Sequence, residues 1–146
     1  MSDMNVVVVG LYTYFNVPVR ILHPIADRID GVKAHTIFYK NYDSNLFSLP
    51  TEKEEKLFLD TIIKINPKVV AISLLSPYVL IAQRITELVK KHTGAVVIWG
   101  GVGPTITPDE HIKHTDVICI GEGERAFEEI IIAVRDKKDY SNIKNL

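Results

Sequence analysis

Val69-Val70-Ala71-Ile72-Ser73-Leu74-Leu75 is a run of strand length with many β-branched residues and no polar residue apart from one serine. A strand with water on one face alternates apolar and polar residues. An unbroken apolar run indicates cover on both faces, the condition of a strand inside a parallel sheet. Working outward, Val6–Val9, Val96–Trp99 and Val117–Ile120 have the same character. A fifth stretch, Ala34–Tyr39, alternates more and suits a strand nearer a sheet edge.

Helical patterns fill the gaps. Thr51-Glu52-Lys53-Glu54 is a capping box, in which the threonine hydroxyl accepts from a free N–H and Glu54 reaches back. The helix it opens carries Leu57, Phe58, Ile62 and Ile65 and stops at Asn66-Pro67. From Tyr78 to His92 the residues Tyr78, Ile81, Ala82, Ile85, Leu88 and Val89 form one stripe, and Gly94 ends it. A last helix runs from about Gly123 to Asp136, with Ala126, Phe127, Ile130, Ile131 and Val134 inward. The first, from about Val17 to Ile29, contains Pro24, which is expected to kink or restart it. A short helix is expected over Asp109–His114, after Pro108. Strand and helix thus alternate five times. Right-handed crossovers turn that order into a doubly wound, three-layer α/β sandwich with a five-stranded parallel sheet. At this length the flavodoxin-like order 2-1-3-4-5 is preferred to a Rossmann order.

The 146 residues suffice for one domain with a real core. With 47% hydrophobic and 24% charged residues, the composition is globular. The net charge of −1 and the lack of any Lys/Arg block give no electrostatic grip on nucleic acid or anionic lipid. The apolar runs are too short to span a bilayer, and no basic segment precedes the first of them. A single cysteine, Cys119, forms no internal disulfide and cannot ligate an iron–sulfur cluster by itself. These features point to the cytoplasm.

In such sheets a ligand sits beyond the carboxyl ends of the strands, near the point where the strand order reverses. The loops concerned are Gly10–Val17, Ser73–Tyr78, Gly100–Pro108 and Gly121–Glu124. Gly100-Gly101-Val102-Gly103-Pro104-Thr105 follows a buried strand with two residues that lack β-carbons. That serves either close approach of a large flat or phosphate-bearing ligand, or a tight turn needing positive φ. Gly121-Glu122-Gly123-Glu124 opens the last helix. Its two carboxylates either face a hydroxyl or amide of a ligand, or simply stabilise the helix N-terminus by about 0.3–1 kcal/mol each.

Ser73-Leu74-Leu75, separated by 24 residues from Gly100-Gly101, resembles the Ser-x-Leu … Gly-Gly signature of cobalamin-binding domains. Gly100–Thr105, followed by Asp116-Val117-Ile118-Cys119-Ile120-Gly121-Glu122-Gly123-Glu124, resembles more specifically the N-terminal domain of the cobalamin-dependent radical SAM family. The resemblance implies a corrin ring over the strand ends, with its nucleotide tail in a cleft beside the third and fourth strands. It implies a cofactor-binding set of Leu11, Tyr12 and Tyr14 after the first strand and Ser73, Leu75 and Ser76 after the third. Gly100, Gly101, Gly103 and Pro104 after the fourth strand and Gly121, Glu122, Gly123 and Glu124 after the fifth complete it. No catalytic or metal-ligating residue is assigned.

Many cobalamin domains carry Asp-x-His-x-x-Gly after the first strand, the histidine ligating cobalt. Here Gly10-Leu11-Tyr12-Thr13-Tyr14-Phe15-Asn16 has neither residue, so the cobalamin is expected to lack a histidine ligand. Asp109-Glu110-His111 lies after the wrong strand, and His111 and His114 are expected on a solvated helix surface. A radical SAM enzyme also binds S-adenosylmethionine and a [4Fe-4S] cluster through a Cys-x-x-x-Cys-x-x-Cys site, which this sequence does not contain. Residues 1–135 are therefore expected to form the cobalamin domain, and 136–146 the start of a linker to a C-terminal radical SAM domain of methyltransferase or cyclase type. Ile143 and Leu146 have no obvious partner in the sequence pattern.

A phosphoacceptor receiver domain has the same fold, but its acidic pair, its phosphorylated Asp and its Lys are missing at Gly10-Leu11, Leu74-Leu75-Ser76 and Gly121-Glu122. A flavin or nucleotide binder lacks its glycine-rich first loop here. A domain with no cofactor, or with a different ligand, acting as an interaction module, is the remaining alternative.

Overall fold

Alternation along the strands sorts the core into two halves, one on each side of a five-stranded, all-parallel sheet. The computed structural model describes residues 3–13, 15–41 and 48–146. In chain order the elements are β1 (Met4–Tyr12), α1 (Val17–Asp27), β2 (Val32–Asn41), α2 (Glu52–Ile65), β3 (Val69–Ser73) and α3 (Val79–His92). They continue with β4 (Val96–Gly100), α4 (Val102–Ile106), α5 (Pro108–His111), β5 (Val117–Ile118) and α6 (Glu124–Arg135). The sheet order is β2-β1-β3-β4-β5, the flavodoxin-like 2-1-3-4-5 expected from the pattern, with β2 at one edge.

On one face Val7, Val9, Val70, Ile72, Val97 and Trp99 pack against Phe58 and Ile62 of α2 and Ile81, Ile85 and Val89 of α3. On the other face Val6, Val8, Val69, Ala71, Ile98 and Val117 pack against Val19 and Ala26 of α1 and Phe127, Ile130 and Ile131 of α6. Both faces are dry, and for that reason the strands read as unbroken apolar runs.

Local chemistry sets the helix boundaries. Thr51 Oγ1 accepts from the Glu54 N–H at 3.3 Å, and the Glu54 carboxylate accepts from the Thr51 N–H at 2.7 Å, closing the capping box. Asn66, with φ of 50°, ends α2 ahead of Pro67. Helix α1 starts at an Asn16 cap and runs as one element through Pro24, whose ring lies on the exposed side. Two details depart from the sequence pattern. The segment Val102–Ile106 is a short helix despite Gly103 and Pro104, and β5 is only two residues long. The N–H of Ile120, which the pattern assigns to β5, donates instead to the carbonyl of Asn145 at 2.9 Å.

The C-terminal segment folds back. Tyr140, Ile143 and Leu146 pack against the α1/α6 half of the core, so the two aliphatic residues do have partners. Among the described residues no helix is long and apolar enough to cross a membrane.

Candidate functional site

Gly10 pairs with Ser73 and Ser73 with Gly100, so the three stand at one level across β1, β3 and β4. Their side-chain positions face α1 and α6, because the flanking residues Val9, Ile72, Leu74 and Trp99 face the other way. Cys119 extends the row. Its N–H donates to the carbonyl of Trp99 at 2.8 Å, and its Cβ lies 3.7 Å from the place a Gly100 Cβ would occupy. The row thus carries nothing larger than a hydroxymethyl or a thiol. One level deeper stand Val8, Ala71, Ile98 and Val117, again mutual partners.

An open cavity of about 240 Å³ lies over Ser73, Gly100 and Cys119 of this row, whereas the Gly10 position is filled by Phe38, Val19 and Asn16. Ala71, Ser73, Ile98, Gly100 and Cys119 are its sheet side. Pro18 and Leu22 of α1 and Phe127 and Ile130 of α6 form its flanks. Gly121, Glu122, Gly123 and Glu124 border it after β5, and Leu146 closes one side. Since α6 runs back down the sheet from Glu124, Phe127 and Ile130 lie progressively deeper than the loop. The interior is apolar and the mouth polar. Among the described residues no Lys or Arg lines the cavity, and the two glutamates at the mouth make it acidic. Helix α6 opens on Gly123 with no side-chain cap, which leaves its first-turn N–H groups for an acceptor at the mouth. Burial, and then the nearby Glu124 carboxylate, push the Cys119 thiol up, so it stays neutral.

The structure brings together Ser73, Gly100, Gly101, Gly121, Glu122, Gly123 and Glu124 from the sequence-derived set. Gly101 is needed for the backbone, however. Its φ is +107°, and a Cβ would stand 2.8 Å from the carbonyl oxygen of Leu74. There the Leu74 N–H donates to Gly100 O at 2.8 Å, and the Gly103 N–H donates to Leu74 O at 3.3 Å. Gly100 has no such conflict and is the glycine that leaves room. Gly103 and Pro104 are buried in α4, with the Gly103 position facing Ser76 and His111. Leu75 and Ser76 stay exposed on the strand-end surface, outside the cavity lining.

Leu11 and Tyr12 depart from expectation. They are buried in the α2/α3 half of the core at 1% and 0% exposure. The Tyr12 ring stacks on Tyr78 with centroids 4.8 Å apart, and its hydroxyl donates to Ser48 O at 2.9 Å. Both lie on the opposite side of the sheet from the cavity and outside its lining. Tyr14 lies outside the described residues. His111 also differs from its expected solvated place. It is buried, its Nδ1–H donates to Thr107 O at 2.7 Å, and its ring meets the edge of Trp99. His114 stacks on the same indole from the exposed surface, so the two histidines bracket a tryptophan and share no metal face. Among the described residues no group of three or more His, Cys, Asp and Glu is placed to hold a metal.

The reading from sequence missed Pro18, Leu22, Ala71, Ile72, Ile98, Cys119, Phe127, Ile130 and Leu146. Period-two counting back from Ser73 and Gly100 leads to Ala71 and Ile98, but nothing local points to Leu146.

No curated protein matches the chain in sequence. Among solved structures, the radical S-adenosylmethionine methyltransferase TsrM from Kitasatospora setae, solved with cobalamin and a [4Fe-4S] cluster bound, superposes with a TM-score of 0.76 at 15% identity. The match covers 98% of this chain and 26% of that one. OxsB, a cobalamin-dependent S-adenosylmethionine radical enzyme, gives a TM-score of 0.70 at 15% identity over 98% of this chain and 20% of its own. A pilus assembly-related protein from Burkholderia pseudomallei gives 0.59 at 8% identity, covering 94% and 93%. This chain therefore spans about a quarter or less of the first two. At such identities the likeness is one of fold, which by itself serves unrelated functions. The B12 binding domain family, by contrast, matches residues 15–131, which hold most of the cavity lining. This chain belongs to the B12-binding domain family.

Proposed function

We propose that this chain binds cobalamin over the carboxyl ends of its strands, as the N-terminal module of a radical SAM enzyme. The observation that carries the reading is the small-residue row Ser73–Gly100–Cys119 with its cavity between α1 and α6. At about 240 Å³ the cavity is too small for a corrin and right for one arm of a larger ligand. The nucleotide tail would enter it, with Gly100 leaving room, Ser73 offering a hydroxyl, and Phe127 and Ile130 supplying apolar walls. The Gly121–Glu124 loop would meet amide or hydroxyl groups at the mouth.

The corrin would rest on the strand-end surface, where Phe15, Leu75, Val102 and Ile106 are exposed. Such apolar exposure is characteristic of a surface that another body covers. Cobalamin, when bound, supplies a cobalt centre able to carry a methyl group. This chain's residues bind and orient it and exclude water. The loop after β1 carries no histidine and would offer the cofactor no imidazole. S-adenosylmethionine, the cluster and the methyltransferase or cyclase chemistry belong, in this reading, to a C-terminal radical SAM partner domain.

Titration with hydroxocobalamin and methylcobalamin, followed by absorbance and calorimetry, tests the reading. Saturable binding near one per chain is expected, with a spectrum showing no histidine-ligated cobalt. Absence of saturable binding at about 1 mM cofactor, a limit corresponding to roughly −4 kcal/mol, overturns it.

A further inference from the structure

We infer that the C-terminal segment 140–146 is a working wall of this pocket, and that Leu146 governs which corrinoids it admits. The inference rests on the cobalamin reading above. Three observations carry it. Leu146 itself lines the cavity. Its neighbour Asn145 takes φ of +73°, a conformation that non-glycine residues rarely adopt and asparagine tolerates best. Asn145 is also tied to the loop that borders the cavity, because its carbonyl accepts from the Ile120 N–H at 2.9 Å and its side-chain amide donates to Glu122 O at 3.2 Å. One left-handed residue thus fixes the loop and turns Leu146 into the pocket.

The other walls are built differently. Ala71 and Ile98 are held in the sheet ladder, and Phe127 and Ile130 in the hydrogen-bonded length of α6. The Leu146 wall rests on the two ties of Asn145, a 3.4 Å bond from its own N–H to Ile143 O, and the half-buried side chains of Tyr140 and Ile143. It is therefore the wall that yields most easily to a ligand. Because the sheet and α6 set the depth, Leu146 sets the width. A group inserted between Gly100 and α6 must fit against this leucine, whereas a ligand resting only on the strand ends does not meet it.

The test compares hydroxocobalamin, which carries the nucleotide tail, with dicyanocobinamide, which lacks it. Each is titrated against the wild-type chain, Leu146→Trp and Asn145→Val by absorbance. Filling the slot in Leu146→Trp is expected to weaken hydroxocobalamin at least about tenfold and to leave cobinamide within about twofold. Asn145→Val, which strains the left-handed turn and removes the amide, is expected to shift the ratio of the two affinities as well. Leu146→Trp, at a partly buried edge of the core, should keep its thermal midpoint within about 4 °C, whereas Asn145→Val, which strains a left-handed residue, is expected to lower it further. An unchanged affinity ratio in both variants overturns the inference while leaving the cobalamin reading standing. A wild-type chain that binds neither corrinoid overturns both.

Discussion

The two faces of the sheet end differently although the same strands build both. Toward α2 and α3 the strand ends are filled by Leu11, Leu74 and Trp99, with the Tyr12–Tyr78 stack beside them. Toward α1 and α6 the intervening positions are Gly10, Ser73 and Gly100. Successive residues of a strand point to opposite faces, so one stretch such as Trp99-Gly100 seals one side and hollows the other. Both faces bury a core, but at the strand ends one is sealed and the other keeps a cavity that a well-packed interior would not retain.

The largest effect that would sharpen this contrast lies on the sealed face. Trp99 is fully buried, its Nε1–H donates to Thr86 Oγ1 at 2.9 Å, and His111 and His114 flank its ring. Trp99→Ala is expected to cost about 3–5 kcal/mol, read by urea unfolding with circular dichroism. A cost under about 1 kcal/mol would mean that this end of the sheet is not sealed.

The adjacent glycines should separate fold from ligand. Gly100→Leu sends a side chain into the cavity, whereas its Cβ meets only Cys119 Cβ, at the ordinary distance of 3.7 Å. Cobalamin affinity is expected to fall by about a hundredfold, with unfolding free energy changed by less than about 1 kcal/mol. Gly101→Ala should do the reverse, losing about 1–3 kcal/mol through its left-handed φ and its contact with Leu74 O. Equal behaviour of the two variants would break the assignment of room to Gly100 and turn to Gly101.

Helix starts carry the same contrast at smaller scale. On the sealed side α2 opens with a complete capping box, whereas α6 on the hollow side opens on Gly123 with no side-chain cap. Thr51→Ala is expected to cost about 1 kcal/mol in urea unfolding. The Thr51 backbone N–H, and then the Lys40 ammonium, hold the Glu54 carboxyl below its usual value. A lowered acid pKa contributes stability above the unfolded value of 4.5 and loses it as pH falls through the folded one. The stability gap between wild type and Glu54→Gln should therefore be full at pH 6 and close in acid. A gap that persists in acid would break the carboxylate account.

These contrasts were unequally legible in the sequence. The five strands, their order and the box at Thr51–Glu54 follow from patterns within a few residues and are present, although β5 is shorter than its apolar run. The level pairing of Gly10, Ser73 and Gly100 needs the register, which no single segment contains. That Leu11 and Tyr12 lie on the sealed side was not legible, because a strand end looks alike whichever face it serves; the aromatic packing shows it. The helix at Val102–Ile106 was hidden by Gly103 and Pro104, which punctuate loops elsewhere but here sit buried against Ser76 and His111. The C-terminal segment looked partnerless because its contacts lie across the chain, at Ile120 and Glu122.

The smallest effect belongs to Cys119, which completes the hollow row. Burial, and then the Glu124 carboxylate, raise its thiol above 9.0. The native state therefore favours the neutral thiol more than the unfolded chain does. Its contribution to stability is full below the unfolded pKa and is lost as pH rises through the higher folded value. Alkylation by iodoacetamide needs the thiolate, so at pH 8 Cys119 should react at least about tenfold more slowly than a free cysteine, and faster only in stronger alkali. Because Cys119 borders the cavity, saturating cobalamin should slow the reaction further, while cobinamide, lacking the tail that enters the slot, should protect far less. Fast alkylation at neutral pH would mean that the row is open to water and the thiol unburied. Equal protection by the two corrinoids would place the tail elsewhere on the strand ends, and the hollow face would then need another occupant.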